Sequence, residues 1–197
     1  MTPEILRPKL TMPEAEAKLL TLSYAGADVI LEYGSGGSTV VAAEMAGKRV
    51  TSVEGDAAWL AMMQGYFAQT PPLADLTMHY ADIGPTKAWA FPKGEATFRD
   101  WPAYALGVWD LPEFHHPDVV LIDGRFRAGC FLATLFRISK PTLVLWDDYV
   151  DRREYHRVES LMKPVEIIGR MALFELTPMA VPADRLLWIM QTFLLTR

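Results

Sequence analysis

Two short segments constrain this chain most: Val119-Val120-Leu121-Ile122 and Leu143-Val144-Leu145-Trp146 are apolar at every successive position. Neighbouring strand residues point to opposite faces, so each run must be buried on both sides. That is the condition of a parallel sheet covered by helices above and below, and it excludes a sheet with one wet face. Val29-Ile30-Leu31 and the run 50–53 have the same character, and a weaker run at 76–80 fits a position near the sheet edge. Between the runs lie helical patterns at 13–22, 38–46, 57–67, 129–138 and 152–162. Pro13 suits the first turn of the earliest of these. Strand and helix alternate, which predicts an α/β, doubly wound, seven-stranded and mostly parallel sheet.

Residues 1–197 read as a single domain with two elaborations. The stretch 84–117 holds Pro85, Pro92, Pro102, Pro112 and Pro117 among seven aromatic residues from Trp89 to Phe114. It cannot be one regular element; it is either a satellite core on the sheet or a cover over a cleft. The tail, 165–197, offers apolar runs at 165–176 and 186–195, separated by Thr177-Pro178 and Pro182-Ala183-Asp184. These predict an antiparallel strand pair added to the parallel sheet.

Composition narrows the function classes. The 19 basic and 24 acidic side chains leave a net charge of −5, the wrong sign for gripping a phosphate backbone, so no nucleic-acid partner is expected. The single cysteine, Cys130, falls within a helical pattern and cannot form an internal disulfide. The run 186–195 is about half the ~20 residues that span a bilayer. The first ten residues carry charges and prolines where a secretory signal needs an apolar stretch. A soluble, cytoplasmic protein without a membrane partner is expected.

The sharpest chemical signal is Val29-Ile30-Leu31-Glu32-Tyr33-Gly34-Ser35-Gly36-Gly37-Ser38-Thr39. A buried strand runs into a glycine-rich turn and then a helix, so free amides at the helix start face an incoming polar group. Glu54, in Val53-Glu54-Gly55-Asp56, ends the next strand. It lies 54 − 34 = 20 positions after Gly34, near the spacing at which an acid reaches a ribose. Two observations disfavour a dinucleotide. Thr39 stands where that pattern needs its third glycine. Glu32 would repel a pyrophosphate, since like charges ~4 Å apart cost about 1 kcal/mol even in bulk water. A ligand with a cationic α-amino group suits Glu32 better, which favours S-adenosylmethionine over NAD.

The segment resembles the first motif of the Rossmann-like, class I S-adenosylmethionine-dependent methyltransferases, an acidic–x–Gly–x–Gly loop after the first strand. The resemblance runs from about Leu20 to Leu161. It implies a strand order of 3-2-1-4-5-7-6. It also implies that Glu32, Gly34 and Gly36, with Ser35 and Ser38, hold the methionine end of the cofactor, that Glu54 binds the ribose hydroxyls, and that Asp82 in Tyr80-Ala81-Asp82-Ile83 contacts adenine. Asp123, in Leu121-Ile122-Asp123-Gly124, matches the residue ending the family's fourth strand. The chain lacks the Asn/Asp-Pro-Pro-aromatic motif of base amine methylases, having Asp123-Gly124-Arg125-Phe126. Together with the acidic balance, this points to a small-molecule substrate methylated at oxygen. Two alternatives stay open: an S-adenosylmethionine-binding protein without turnover, and an NAD(P)-dependent oxidoreductase. The second lacks a Tyr-x-x-x-Lys.

Asp147 and Asp148 follow the fifth strand directly, and adjacent acids ending a buried strand are costly unless paired, solvated or bound to metal. With Asp123 they could form an all-oxygen site for one magnesium, as in the metal-dependent O-methyltransferases of the catechol type that this arrangement resembles. In that reading Asp123 and Asp148 are catalytic through the metal. The other reading makes Asp148 or Asp151 a helix cap. Among the histidines, His156 is the candidate general base, whereas His79, His115 and His116 read as structural. The apolar tail suggests a homodimer, because such an edge normally needs covering.

Overall fold

The computed structural model describes residues 5–197; Met1 to Glu4, with which the stretch read for a targeting signal begins, lie outside the described residues. Seven strands form one sheet: β1 (Val29–Tyr33), β2 (Arg49–Glu54), β3 (Asp75–Tyr80), β6 (Val119–Ile122), β7 (Thr142–Trp146), β8 (Glu166–Ile168) and β9 (Met171–Leu176). Their order is β3-β2-β1-β6-β7-β9-β8, the expected 3-2-1-4-5-7-6 once the separate two-stranded ribbon β4 (Thr86–Lys87) and β5 (Phe91–Pro92) is set aside. The first five strands of the sheet run parallel, and β9 returns antiparallel beside β7.

The doubly apolar runs do what their pattern requires. Val120, Ile122, Val144 and Trp146 join a core under α4 (Pro102–Leu106), α5 (Arg127–Arg137) and α6 (Leu186–Thr192). Val119, Leu121 and Leu145 join a second core on the opposite face, with Leu20 and Tyr24 of α1 (Glu14–Gly26) and Ala42 of α2 (Gly37–Ala43). A smaller cluster seats α3 (Ala57–Gln69) through Met63 and Tyr66 against Val40. On the first face Phe131 packs against Trp146 and Phe174 with ring centroids 5.2 and 4.8 Å apart, in the offset and edge-on range that favours aromatic pairs.

Register sets the site. Tyr33 pairs with both Val53 and Ile122, and Ile122 pairs with Trp146. The next residues, Gly34, Glu54, Asp123 and Asp147, therefore emerge side by side along the carboxyl edge. Each strand end is tied to its neighbour: the N–H groups of Gly34, Asp123 and Asp147 donate to the carbonyls of Val53, Tyr33 and Ile122 at 2.9, 3.0 and 3.1 Å. Order reverses between β1 and β6, and in open α/β sheets ligands bind outside the carboxyl ends at such a switch point.

Two expectations are corrected. The antiparallel pair is a tight hairpin, β8 and β9, joined by Gly169-Arg170, so both strands come from the first tail run alone. The second run forms α6, because Ile189, Thr192 and Phe193 share the face that packs toward α5 while Leu187 and Met190 stay exposed. Residues 152–162 hold only a short 3-10 helix, Tyr155–Ser160. The aromatic stretch 84–117 divides its residues between both readings: Trp101, Tyr104 and Trp109 are core, whereas Trp89 and Phe98 are exposed. Among the described residues, no helix is long and apolar enough to cross a membrane.

Candidate active site

A cavity of about 820 Å³ opens at the carboxyl edge, lined from the β1–β2 side by Gly34, Ser35, Gly36, Ser38, Glu54, Asp56 and Trp59. Its size is within the ~300–1,000 Å³ range of small-molecule sites. Gly34 has φ +104°, and a Cβ there would lie 2.6 Å from the Cα of Gly124. Two glycine backbones thus meet where the strand order reverses, which only a missing side chain allows. The loop then enters α2, where the Gly36 N–H donates to the Thr39 hydroxyl at 2.9 Å. A Cβ on Gly36 would meet nothing within 4 Å, so the glycine leaves the cavity floor open.

Glu54 is held rigidly. Its Oε1 accepts from the N–H groups of Gly55 and Asp56, both at 2.8 Å, and its Oε2 from Ser35 N–H at 3.2 Å. Burial raises its pKa, against the pull of these backbone donors. Asp56 caps α3, accepting from Trp59 and Ala58 N–H at 2.9 and 3.0 Å; the Trp59 bond leads the causes that lower its pKa. The Trp59 indole donates to the Ser35 carbonyl at 2.8 Å, so cap, tryptophan and loop form one unit.

Three expected residues stand elsewhere. Glu32 does not line the cavity; it is 0% exposed beneath the loop, where its Oε1 accepts from the Tyr24 hydroxyl at 2.7 Å. A carboxylate on the strand before the glycines alternates away from the face that the loop opens. Asp82 is exposed and serves its own turn, its Oδ1 accepting from Gly84 N–H at 2.9 Å and from the Tyr80 hydroxyl at 3.3 Å. His156 stacks on Tyr149 with centroids 4.8 Å apart, its Nε2 3.2 Å from the Tyr149 carbonyl, and it lies off the cavity.

The three aspartates do converge: Asp123, Asp147 and Asp148 offer carboxylate oxygens within 4.8 Å of one another. Strand β7 has ended at Trp146, and Asp148 takes a left-handed conformation (φ +54°), which aspartate tolerates better than most residues. The turn brings both side chains to one place, and Asp148 caps no helix. The cluster is nevertheless occupied by arginines. Arg170 grips Asp147 with both forks, Nε to Oδ1 at 2.9 Å and Nη2 to Oδ2 at 2.6 Å, and its Nε lies 3.1 Å from Asp148. Arg152 donates to Asp148 at 2.6 Å. Arg127 pairs with Asp123 at 3.1 Å and with Asp148 at 3.4 Å. Three carboxylates face three guanidiniums, 3 − 3 = 0, and a hard cation would have to displace charge-assisted bonds to enter. The donor set does not fit magnesium.

Asp123 is the member that lines the cavity with a single ion pair. Burial raises its pKa to about 7; Arg127 opposes the rise, while Asp147 and Asp148 add to it. The arginines escaped the sequence reading, although Asp123/Arg127 and Asp148/Arg152 have i,i+4 spacing that could have signalled them. Residues 8–12 were also missed; they line the cavity and run so close to the loop that a Cβ on Gly37 would strike the backbone of Lys9 and Leu10.

No protein-family model matches the chain, and no curated protein matches it. Among solved structures it is similar to a methyltransferase-like protein from Silicibacter pomeroyi, with 50% identity, TM-score 0.91, and 96% of this chain and 98% of that one covered. At the level of fold it resembles the O-methyltransferase TomG of Streptomyces achromogenes, solved with S-adenosylmethionine (15% identity, TM-score 0.57, coverage 85% and 82%). It likewise resembles an O-methyltransferase from Bacillus cereus solved with S-adenosylhomocysteine (16%, 0.52, 83% and 82%). With half its residues shared with the first of these over nearly its full length, the chain belongs to the Rossmann-like, class I S-adenosylmethionine-dependent methyltransferases.

Proposed function

We propose that the protein transfers a methyl group from S-adenosylmethionine to an oxygen of a small-molecule acceptor. The observation that carries this reading is one continuous cavity with the glycine loop and the clamped Glu54 on its β1–β2 side and Asp123 at the end of β6. Its residues fit the cofactor: a glycine floor left open at Gly36 and a carboxylate, Glu54, already oriented by three N–H groups. The O-methyltransferase neighbours solved with S-adenosylmethionine and S-adenosylhomocysteine support the same assignment.

Bound there, S-adenosylmethionine supplies an electrophilic methyl group. The chain's part is binding, orientation and one proton. Ser35, Gly36 and Ser38 receive the amino-acid end, and Glu54 accepts from the ribose hydroxyls. Trp59, fixed by Ser35, and Asp56 border the adenosine side in place of Asp82. Asp123 takes the proton of the acceptor hydroxyl, since a base poised near neutrality combines availability with driving force. Holding the two reactants in line supplies the remainder. Calorimetric titration with S-adenosylhomocysteine and with NAD tests the reading. Binding of the first without the second is expected; NAD binding with no response to S-adenosylhomocysteine refutes it.

A further inference from the structure

Two arginines, Arg125 and Arg127, sit two residues apart at the mouth of β6, and both side chains are buried. Arg127 is saturated: its guanidinium donates to the carbonyls of Gly124, Asp147 and Asp123 at 2.9, 2.6 and 2.8 Å. Arg125 is not. It is 8% exposed and lines the cavity, yet its guanidinium makes no hydrogen bond or ion pair with any described residue. It rests on the face of Phe91, 4.2 Å from the ring centroid, a platform that orients a guanidinium without using its N–H donors. The main chain fixes its position: Arg125 N–H donates to the Tyr104 hydroxyl at 3.3 Å, and its carbonyl accepts from the Cys130 thiol at 3.5 Å.

Every carboxylate nearby is already spent. Asp123, Asp147 and Asp148 pair with Arg127, Arg152 and Arg170, which leaves Arg125 as the arginine of this half of the cavity without an ion pair to any described residue. Burial, then Arg127 and Arg152, lower its pKa, but a guanidinium does not deprotonate in proteins. The guanidinium opens on the cavity and not on a protein partner, and five unused donors facing a cavity match an oxyanion. Arg125 lies beyond Gly124, and Arg127 and Arg152, from α5 and the segment after β7, are its cationic neighbours. The loop and Glu54 stand on the β1–β2 side. The anion it awaits is therefore the acceptor's.

We propose that the methyl acceptor carries a carboxylate or phosphate group, which docks on Arg125 with the body of the molecule against Phe91. The proposal rests on the methyltransferase reading above and narrows its substrate class.

The test is calorimetry on protein saturated with S-adenosylhomocysteine, using benzoate and inorganic phosphate as probes and benzamide as the neutral counterpart of benzoate. Both anions should bind and benzamide should not. Arg125→Gln should weaken the anions about tenfold or more, the effect of losing charge-assisted hydrogen bonds, while S-adenosylhomocysteine affinity stays within about twofold. Phe91→Leu should weaken the anions severalfold without touching the cofactor arm. Arg125→Lys, which keeps the charge and loses the planar fork, serves if the glutamine variant does not fold, and should fall between it and the parent. Equal binding of benzamide and benzoate, or anion binding unchanged in Arg125→Gln, overturns the proposal. So does a loss confined to S-adenosylhomocysteine, which would give Arg125 to the cofactor's own carboxylate. If the parent fails to bind S-adenosylhomocysteine, the methyltransferase reading falls with the acceptor assignment. The anion arm, repeated without cofactor, separates that failure from a failure of Arg125 to hold anions.

Discussion

Arg170→Met is the substitution that most directly tests how the three aspartates are compensated. Asp147 is 1% exposed, and Arg170 supplies both bonds to its carboxylate, at 2.9 and 2.6 Å. The change removes these bonds and the 3.1 Å pair with Asp148, leaving a carboxylate buried beside two others. Breaking a buried pair from one side costs about 3–5 kcal/mol. The Arg170 side chain is 37% exposed, so water can enter where it stood, and the expected loss is at the lower end, about 3 kcal/mol. The backbone contribution survives, because the Arg170 N–H still donates to Glu16 at 2.8 Å. Equilibrium urea unfolding should show a lower midpoint at unchanged slope. Asp147→Leu/Arg170→Met removes the stranded charge as well and should recover at least about 1 kcal/mol of the loss, since apolar replacements of buried ion pairs are often neutral. A single variant that costs under about 1 kcal/mol, or a double variant no more stable than the single, would refute the arginine account of the cluster.

Because each carboxylate of the cluster is paired with an arginine, added magnesium should not shift the thermal midpoint; a rise would restore the metal reading. Asp123→Asn should reduce kcat/KM by about 10²–10⁴. In the parent, kcat/KM should rise with pH through about 7, where the raised Asp123 pKa leaves the base protonated below and free above, and that rise should vanish in the variant. Glu54→Gln should weaken S-adenosylhomocysteine about tenfold by calorimetry, through lost charged acceptors for the ribose. Gly34→Ala forces a Cβ to 2.6 Å from the Gly124 backbone at a positive φ. It should destabilise the fold by about 2–4 kcal/mol in urea titrations.

The sheet was legible because its central strands leave no alternative. A run such as Val120-Leu121-Ile122 cannot place its side chains on one face, so helices must cover both, and the glycine turn after β1 then fixes where the chain crosses over. The end of the chain was not legible for the converse reason. Leu186-Leu187-Trp188-Ile189-Met190 is apolar throughout, and an unbroken short run does not distinguish strand from helix by its period. The fold decides it from outside the segment: Phe193 lies against Gly129 of α5, with a Cβ there only 3.2 Å from its ring, and a helix is what turns Ile189 and Phe193 to that side together.

At the site, sequence reasoning found Glu54 and the three aspartates and missed the arginines, and the asymmetry has a physical origin. An acid at the end of a buried strand is conspicuous because its desolvation demands an explanation, whereas arginine is common on any surface and becomes meaningful only when it is placed. Arg127 and Arg152 are local, each four residues after its partner Asp123 or Asp148. Arg170 comes from the turn of the β8–β9 hairpin, whose short loop was hidden inside what read as one long strand. That turn reaches the carboxyl edge because β9 runs antiparallel to β7, so Ala172 sits opposite Trp146 and the Arg170 side chain, two residues before Ala172, reaches Asp147. Glu16 of α1 holds the same turn in place from the other side, so close that a Cβ on Gly169 would collide with its carboxylate. The antiparallel end of the sheet therefore has a chemical consequence: it delivers the guanidinium that neutralises Asp147, which leaves Asp123 facing the cavity with one ion-pair partner and Arg125 with none among the described residues.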